Sequence, residues 1–204
     1  MKPAFRVGLG VLLAGSAGIA GAQAPASEAE NPPPLEQIVI VAPYATTTIA
    51  RDRVPSYVQS AASEQIERAQ SLDLTDFLSR NFASVSINHA QNNPLQPDLN
   101  FRGFTASPLL GLPQGLAVYQ NGMRMNEPFG DTVSWDLVPM SAVQGVQLLA
   151  GSNPVFGLNS LGGALSLQMK DGFTFDRTAV EGYGGSFSRG GATVQHGGNS
   201  GRWG

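Results

Sequence analysis

An Asn121-Gly122 pair stands between two runs of strand-forming residues, Leu116-Ala117-Val118-Tyr119-Gln120 and Met123-Arg124-Met125. Both central residues of a type I′ turn need positive φ, which Asn and Gly supply most readily, and the twist of that turn suits two antiparallel strands. The pair therefore predicts a β-hairpin and puts a sheet in the middle of the chain. Further strands are predicted at 84–89, where polar and apolar residues alternate, at 99–104, which Gly103 ends or kinks, at 145–151 and at 163–169. Ser63 and Ser71 are placed to cap two short helices, the first with acids at its start and the second carrying Leu74, Phe77 and Leu78 at i, i+3 and i+4. A third brief helix is predicted at 138–143, with Pro139 in its first turn. Strands interleaved with short helices make an α/β (α+β) domain on a small mixed sheet.

The first 22 residues stand outside that domain. A short positive start with Lys2 and Arg6, an uncharged Val-, Leu-, Ala- and Gly-rich run at 7–20, and the small residues Ala20-Gly21-Ala22 form an export signal, with cleavage expected after Ala22. The run is too short and Gly-rich for a membrane-spanning helix, which needs about 20 apolar residues. Residues 23–34 read as a linker ending in Pro32-Pro33-Pro34, which favours extended polyproline II. After it, Glu36-Gln37-Ile38-Val39-Ile40-Val41-Ala42-Pro43 carries four β-branched apolar residues in a row. Set between a Pro-rich tether and a loose polar stretch at 44–53, this strand is one that another protein's sheet edge can capture.

Loss of Lys2 and Arg6 leaves 10 basic residues against 15 acidic ones, a mildly acidic chain without the basic face of a nucleic-acid binder. The chain has no cysteine, so disulfides, thiolate catalysis and zinc–thiolate sites are excluded. Its two histidines, His89 and His196, lie far apart, and Glu127 and Asp131 sit among turn residues. No nucleophile elbow, zinc-binding helix, phosphate loop or dinucleotide fingerprint is present. No catalytic residue, metal site or cofactor is expected.

From residue 174 onward the chain changes character and carries glycine and aromatic residues in one run. Val180, Gly182, Tyr183, Gly184, Gly185 and Phe187 lead through a turn at Ser188-Arg189-Gly190-Gly191 into Ala192-Thr193-Val194-Gln195-His196-Gly197. Weakly alternating strands of this kind belong to transmembrane β-barrels.

In this order, the segments resemble the N-terminal part of TonB-dependent outer-membrane receptors. Residues 36–42 are similar to the family's TonB box, with Gln37 where Thr is usual. Asn100-Phe101-Arg102-Gly103-Phe104 is similar to its "IRGF" passage, and Tyr119-Gln120-Asn121-Gly122-Met123-Arg124 to its "YxDGV" hairpin. Leu148-Leu149-Ala150-Gly151-Ser152-Asn153-Pro154-Val155-Phe156-Gly157 and Gly162-Gly163-Ala164-Leu165 resemble its "VLRGP…LYG…GGA" segment.

The resemblance implies an export signal at 1–22, a periplasmic segment at 23–53, a plug at 54–171 and the start of a barrel at 172–204. The plug would sit inside a 22-stranded barrel. Such a barrel needs at least about 220 residues, and only 33 follow Asp171, so the chain is expected to be part of a longer one. The implied location is the outer membrane, with barrel lipid around it and no nucleic-acid partner. Residues 36–43 would engage the energy-transducing TonB complex. Arg102 would latch plug to barrel by pairing with wall carboxylates. The loops at 105–114 and 126–135, with Gln114, Phe129 and Trp135, would meet a small ligand such as a siderophore. The first of these loops carries no charge, which favours a neutral or apolar-faced ligand. The alternative is a free periplasmic plug-like binding module or a non-functional truncated fragment.

Overall fold

In the computed structural model the described residues are 37–42, 45–50, 55–186 and 189–202. The export signal, the linker, Glu36, Pro43 and Ser188 lie outside them. Strand β1 (Gln37–Ala42) pairs antiparallel with β2 (Ala45–Ala50), from Gln37↔Ala50 to Ala42↔Ala45. This corrects the expectation of a lone strand beside a loose polar stretch. Thr46, Thr47, Thr48 and Ile49 are β-branched and favour the extended backbone that β1 also adopts.

Strand β3 (Val58–Ala62) runs directly into helix α1 (Ser63–Ala69). Ser63 is not the cap: Ala62 is, its N–H donating to Gln65 Oε1 at 3.3 Å, while the Ser63 hydroxyl donates to Glu67. Helix α2 (Leu74–Asn81) is capped by Asp73, whose Oδ1 accepts the Asp76 N–H at 2.8 Å. Ser71 lies two residues too early to reach that amide. Leu74, Phe77 and Leu78 are all buried, at the predicted helical spacing. Each contributes about 1.5–3 kcal/mol relative to an exposed side chain.

Strands β4 (Val85–Asn88), β5 (Asp98–Phe101) and β6 (Phe104–Ala106) form a three-stranded antiparallel sheet under α2. The stretch at 99–104 is thus two strands. Arg102 and Gly103, with φ of 52° and 88°, form a two-residue turn that returns Phe104 opposite Phe101.

Strands β7 (Leu116–Gln120) and β8 (Met123–Arg124) make the hairpin that the Asn121-Gly122 pair predicts, with φ of 47° and 85° at the turn. The segment at 138–143 is a 3₁₀ turn, Met140–Ala142, with Pro139 as its cap. Strands β9 (Val143–Ala150) and β10 (Gly163–Met169) complete a five-stranded mixed sheet in the order β3-β9-β10-β7-β8. Only the β10–β7 pair is parallel.

This sheet is buried on both faces. Ala61, Val146, Leu148, Leu165, Leu167, Leu116 and Val118 face the helices and Trp135. On the other face, Val58, Leu149, Ala164 and Ala117 form one cross-strand row, next to a row of Ser60, Gln147, Ser166 and Tyr119. Strands with both faces covered lose simple in–out alternation, and β9 from Val146 to Ala150 and β10 from Gly163 to Leu167 are buried at every position, Gln147 and Ser166 included.

Strands β11 (Thr178–Gly185) and β12 (Arg189–His196) form a separate hairpin. Its second strand begins at Arg189, within the stretch predicted as turn. Val180, Tyr183 and Val194 are exposed, and the Tyr183 ring lies over Gly191, where a Cβ would stand 2.7 Å from the ring. Among the described residues no helix is long and apolar enough to cross a membrane, which leaves crossing by strands untouched.

Candidate functional site

The parallel pairing of β7 with β10 starts both strands at the same end of the sheet, where antiparallel β9 finishes: Leu116, Gly163 and Ala150 are register partners. Three loops therefore leave or enter this one end, at 107–115, 125–134 and 151–162. No pattern within any single loop predicts their meeting.

The first loop is closed by side chains. Gln114 Oε1 accepts the Ser107 N–H at 2.8 Å, and Gln114 Nε2 donates to the carbonyls of Ser107 and Leu109 at 3.4 Å each. The Ser107 hydroxyl donates to Asp98. Gln114, predicted as a ligand contact, thus spends its amide on holding its own loop.

The second loop is pinned by Asn126, which is buried. Its Oδ1 accepts the Val118 N–H at 2.7 Å, and its Nδ2 donates to Leu116 O at 3.1 Å and Asp131 O at 3.2 Å. The side chain extends the β7 edge beyond the end of two-residue β8. Val133 N–H donates to Ser107 O at 3.0 Å, which joins the second loop to the first.

The third loop is tied in through Asp131. Arg124 Nη2 donates to Asp131 Oδ1 at 2.9 Å and to Leu158 O at 2.7 Å, and Asn159 Nδ2 donates to Asp131 Oδ2. Asp131 and Asn159 both adopt left-handed backbone, with φ of 53° and 55°, which these short polar residues tolerate. Asn126 and Asn159 were not singled out by sequence, and Arg124 and Asp131 were read there only as a hairpin residue and a turn acid. Their Asx-rich turn composition was the only available signal, and it does not name partners. Beneath this loop Tyr119 Oη donates to Phe156 O at 2.7 Å, and burial raises the phenol pKa.

Close approach sets the glycines here. A Cβ on Gly115 would stand 2.7 Å from Phe104 Cδ1, and one on Gly162 would meet Phe104 Cβ. At Gly163, with φ of 141°, an added Cβ would run into the Leu149 carbonyl oxygen on the neighbouring strand. This is the physical content of the Gly162-Gly163-Ala164 motif.

Of the predicted apical contacts, Phe129 is 79% exposed. Trp135 is the correction: it is 4% exposed, packs in the core, and its Nε1 donates to Ala106 O at 3.3 Å. A large apolar ring on a short 3₁₀ turn gains more from the core than from the loop surface. Leu110 and Leu158 are also exposed at this end.

Arg102 stands at the tip of the β5–β6 turn, exposed, its guanidinium carbon 5.4 Å from the Tyr57 ring centroid and 5.1 Å from that of Phe101. The turn is fixed by Gly103 N–H donating to Asn100 Oδ1 at 3.0 Å and Arg102 N–H to Ser84 O at 3.3 Å. Among the described residues Arg102 has no carboxylate partner. His89 follows the end of β4 and His196 ends β12, with its Nδ1 2.8 Å from Thr178 Oγ1. Among the described residues no cluster of His, Cys, Asp or Glu gathers as a metal site.

No curated protein matches this sequence. Among solved structures the fold is similar to the alcaligin outer-membrane receptor FauA from Bordetella pertussis, with 18% identity and a TM-score of 0.52 over 78% of this chain and 26% of that one. It is also similar to BauA, the ferric preacinetobactin receptor from Acinetobacter baumannii, with 18% identity and a TM-score of 0.51 over 78% of this chain and 22% of that one. The chain thus spans about a quarter or less of these receptors. Residues 50–164 match the TonB-dependent receptor plug domain model. That stretch holds β3 to β9 with both helices, the three loops, the Asn121-Gly122 hairpin and the start of β10 at Gly163, and it is more than half of the sequence: the chain belongs to the TonB-dependent receptor plug domain family.

Proposed function

We propose that this plug gates an energy-coupled transporter of the bacterial outer membrane, exported behind residues 1–22 and seated in a barrel that begins with β11–β12. The observation that carries the reading is Arg102. Its guanidinium is presented outward on a rigid two-residue turn, flanked by two rings and without a carboxylate among the described residues. A planar fork of donors held this way suits carboxylates on a surrounding wall, which it would meet in bidentate fashion. The exposed Val180, Tyr183 and Val194 on a Gly-rich hairpin support a role for β11–β12 in that wall.

Residues 36–43 serve as the coupling peptide, and 23–53, 54–171 and 172–204 divide the chain into tether, plug and barrel start. β1 is paired with β2 on one edge, and its other edge suits strand addition by the TonB complex. The ligand is a small molecule with a neutral or apolar face, met by Phe129 with Leu110 and Leu158. A siderophore fits this description, and the two structural relatives are by name receptors for alcaligin and ferric preacinetobactin.

The test is Ile38→Pro in the receptor with its complete barrel. Proline removes an N–H donor from the coupling strand. Energised uptake is expected to be lost while ligand binding at the cell surface is retained. Unchanged uptake would remove residues 36–43 from the coupling role.

A further inference from the structure

Arg102 stands in left-handed backbone, at φ of 52°, a region that a long side chain with no local hydrogen bond of its own adopts under strain. Gly103 follows at φ of 88°, so the turn has positive φ at both positions and would suit Asn, Asp or Gly where Arg102 is. The neighbours fix it there. Gly103 N–H donates to Asn100 Oδ1 at 3.0 Å, Arg102 N–H donates to Ser84 O at 3.3 Å, and Phe104 pairs with Phe101. Strained residues persist only where their surroundings over-determine them, and they gather at clamps and binding sites.

We propose that Tyr57 is the positioning residue for this clamp: its ring holds the Arg102 guanidinium in one outward direction, so that a carboxylate on the surrounding wall meets a fork already aimed. This deepens the latch role proposed above and rests on it. The guanidinium carbon lies 5.4 Å from the Tyr57 ring centroid and 5.1 Å from that of Phe101. The two rings come from different sheets, since Phe101 ends β5 and Tyr57 immediately precedes β3. An aromatic face within about 6 Å attracts the cation's charge. It offers no lone pair, so the N–H donors remain for a carboxylate.

The backbone beneath Tyr57 is firmly set. Tyr57 O accepts the Ala150 N–H at 2.9 Å, and the next residue, Val58, is buried opposite Leu149. Gln59 bridges to Ala83, accepting its N–H at 2.6 Å and donating to its carbonyl at 3.1 Å. Ser84, which follows, supplies the carbonyl that accepts the Arg102 N–H. Ring and guanidinium are therefore both referenced to the Ala83-Ser84 step. The Tyr57 side chain is half exposed, so it adds little to the core, and its distinguishing contact is with Arg102. A long side chain loses rotamer freedom when it pairs, and a ring that orders it beforehand reduces that loss.

Side-chain order of Arg102 in the full chain, read by nitrogen relaxation at Nε, tests the positioning without any barrel. The order parameter is expected to exceed about 0.6 in wild type and Tyr57→Phe, and to fall below about 0.6 in Tyr57→Ala and Tyr57→Leu. Leucine keeps apolar bulk but has no aromatic face. Wild-type order in Tyr57→Ala or Tyr57→Leu, or equal loss in Tyr57→Phe, would overturn the role of Tyr57 and leave the latch standing. In the receptor with its complete barrel, Arg102→Ala is expected to speed hydrogen exchange at 98–106 about tenfold or more, and Tyr57→Ala about threefold. In the Arg102→Ala background Tyr57→Ala should add nothing, because it acts through Arg102. An equal effect of Tyr57→Ala in both backgrounds would overturn the proposal. Wild-type exchange in Arg102→Ala would overturn the latch itself, and the positioning role with it.

Discussion

The side chain of Asn126 takes the place of a strand residue for Val118: its Oδ1 accepts the Val118 N–H at 2.7 Å, and its Nδ2 reaches back to Leu116 O at 3.1 Å. β8 is only two residues long, so without this amide the first half of β7 would have a buried, unpaired edge. Asn126→Ala is expected to destabilise the fold by about 1–3 kcal/mol, the cost of leaving buried backbone groups unsatisfied. Asn126→Asp keeps an acceptor for Val118 but loses the donor to Leu116, so it should not rescue. Urea unfolding followed by tryptophan fluorescence measures both.

Gly163→Ala is expected to cost about 3 kcal/mol or more, since it combines an unfavourable φ with a clash against backbone rather than against a flexible side chain. Gly103→Ala, at positive φ but with open space around its Cβ, should cost about 1–2 kcal/mol. The same unfolding assay separates crowding from conformational strain.

Trp135 and Phe129 lie in one predicted ligand loop and should behave oppositely. Trp135→Ala removes a buried ring and is expected to cost about 3–5 kcal/mol in stability. Phe129→Ala removes an exposed ring and should stay within about 0.5 kcal/mol of wild type. In the receptor with its barrel, Phe129→Ala should weaken ligand binding at unchanged expression. Equal stability losses in the two variants would contradict these placements.

Glu67 also predicts a pH dependence. Its pKa is lowered from the ordinary value of 4.5, chiefly by the hydrogen bond from Lys170; burial opposes this as the next largest effect, and the Ser63 hydrogen bond and the charges of Lys170 and Arg177 lower it further. A depressed carboxylate pKa contributes stability that is fully present above the unfolded pKa and is lost as pH falls through the folded one. Asp171 has the same sign, its carboxylate held down by the Thr174 and Phe173 N–H groups and the Thr174 hydroxyl. Acid titration of stability should therefore fall below about pH 4.5, and Glu67→Gln should remove part of that fall. An acid limb identical in wild type and Glu67→Gln would refute the assignment.

Local chemistry was enough to define the pieces of this protein. Asn121-Gly122 specifies its hairpin because the turn needs two residues that accept positive φ, and Leu74, Phe77 and Leu78 specify a helix face by spacing alone. The plug family was legible because its glycines answer short-range demands, as Gly163 does against the neighbouring strand. What the tertiary structure decided was which distant groups share a place. The parallel pairing of β7 with β10 gathers three loops, buries Trp135 and turns Gln114 inward to close its own loop. The tertiary structure also made 99–104 two strands joined by a turn at Arg102-Gly103, and brought Glu67 to Lys170 across 103 residues of sequence. Periodicity and turn propensity act over a few residues, whereas partners for a buried amide or ammonium are set by strand order, which no local pattern encodes.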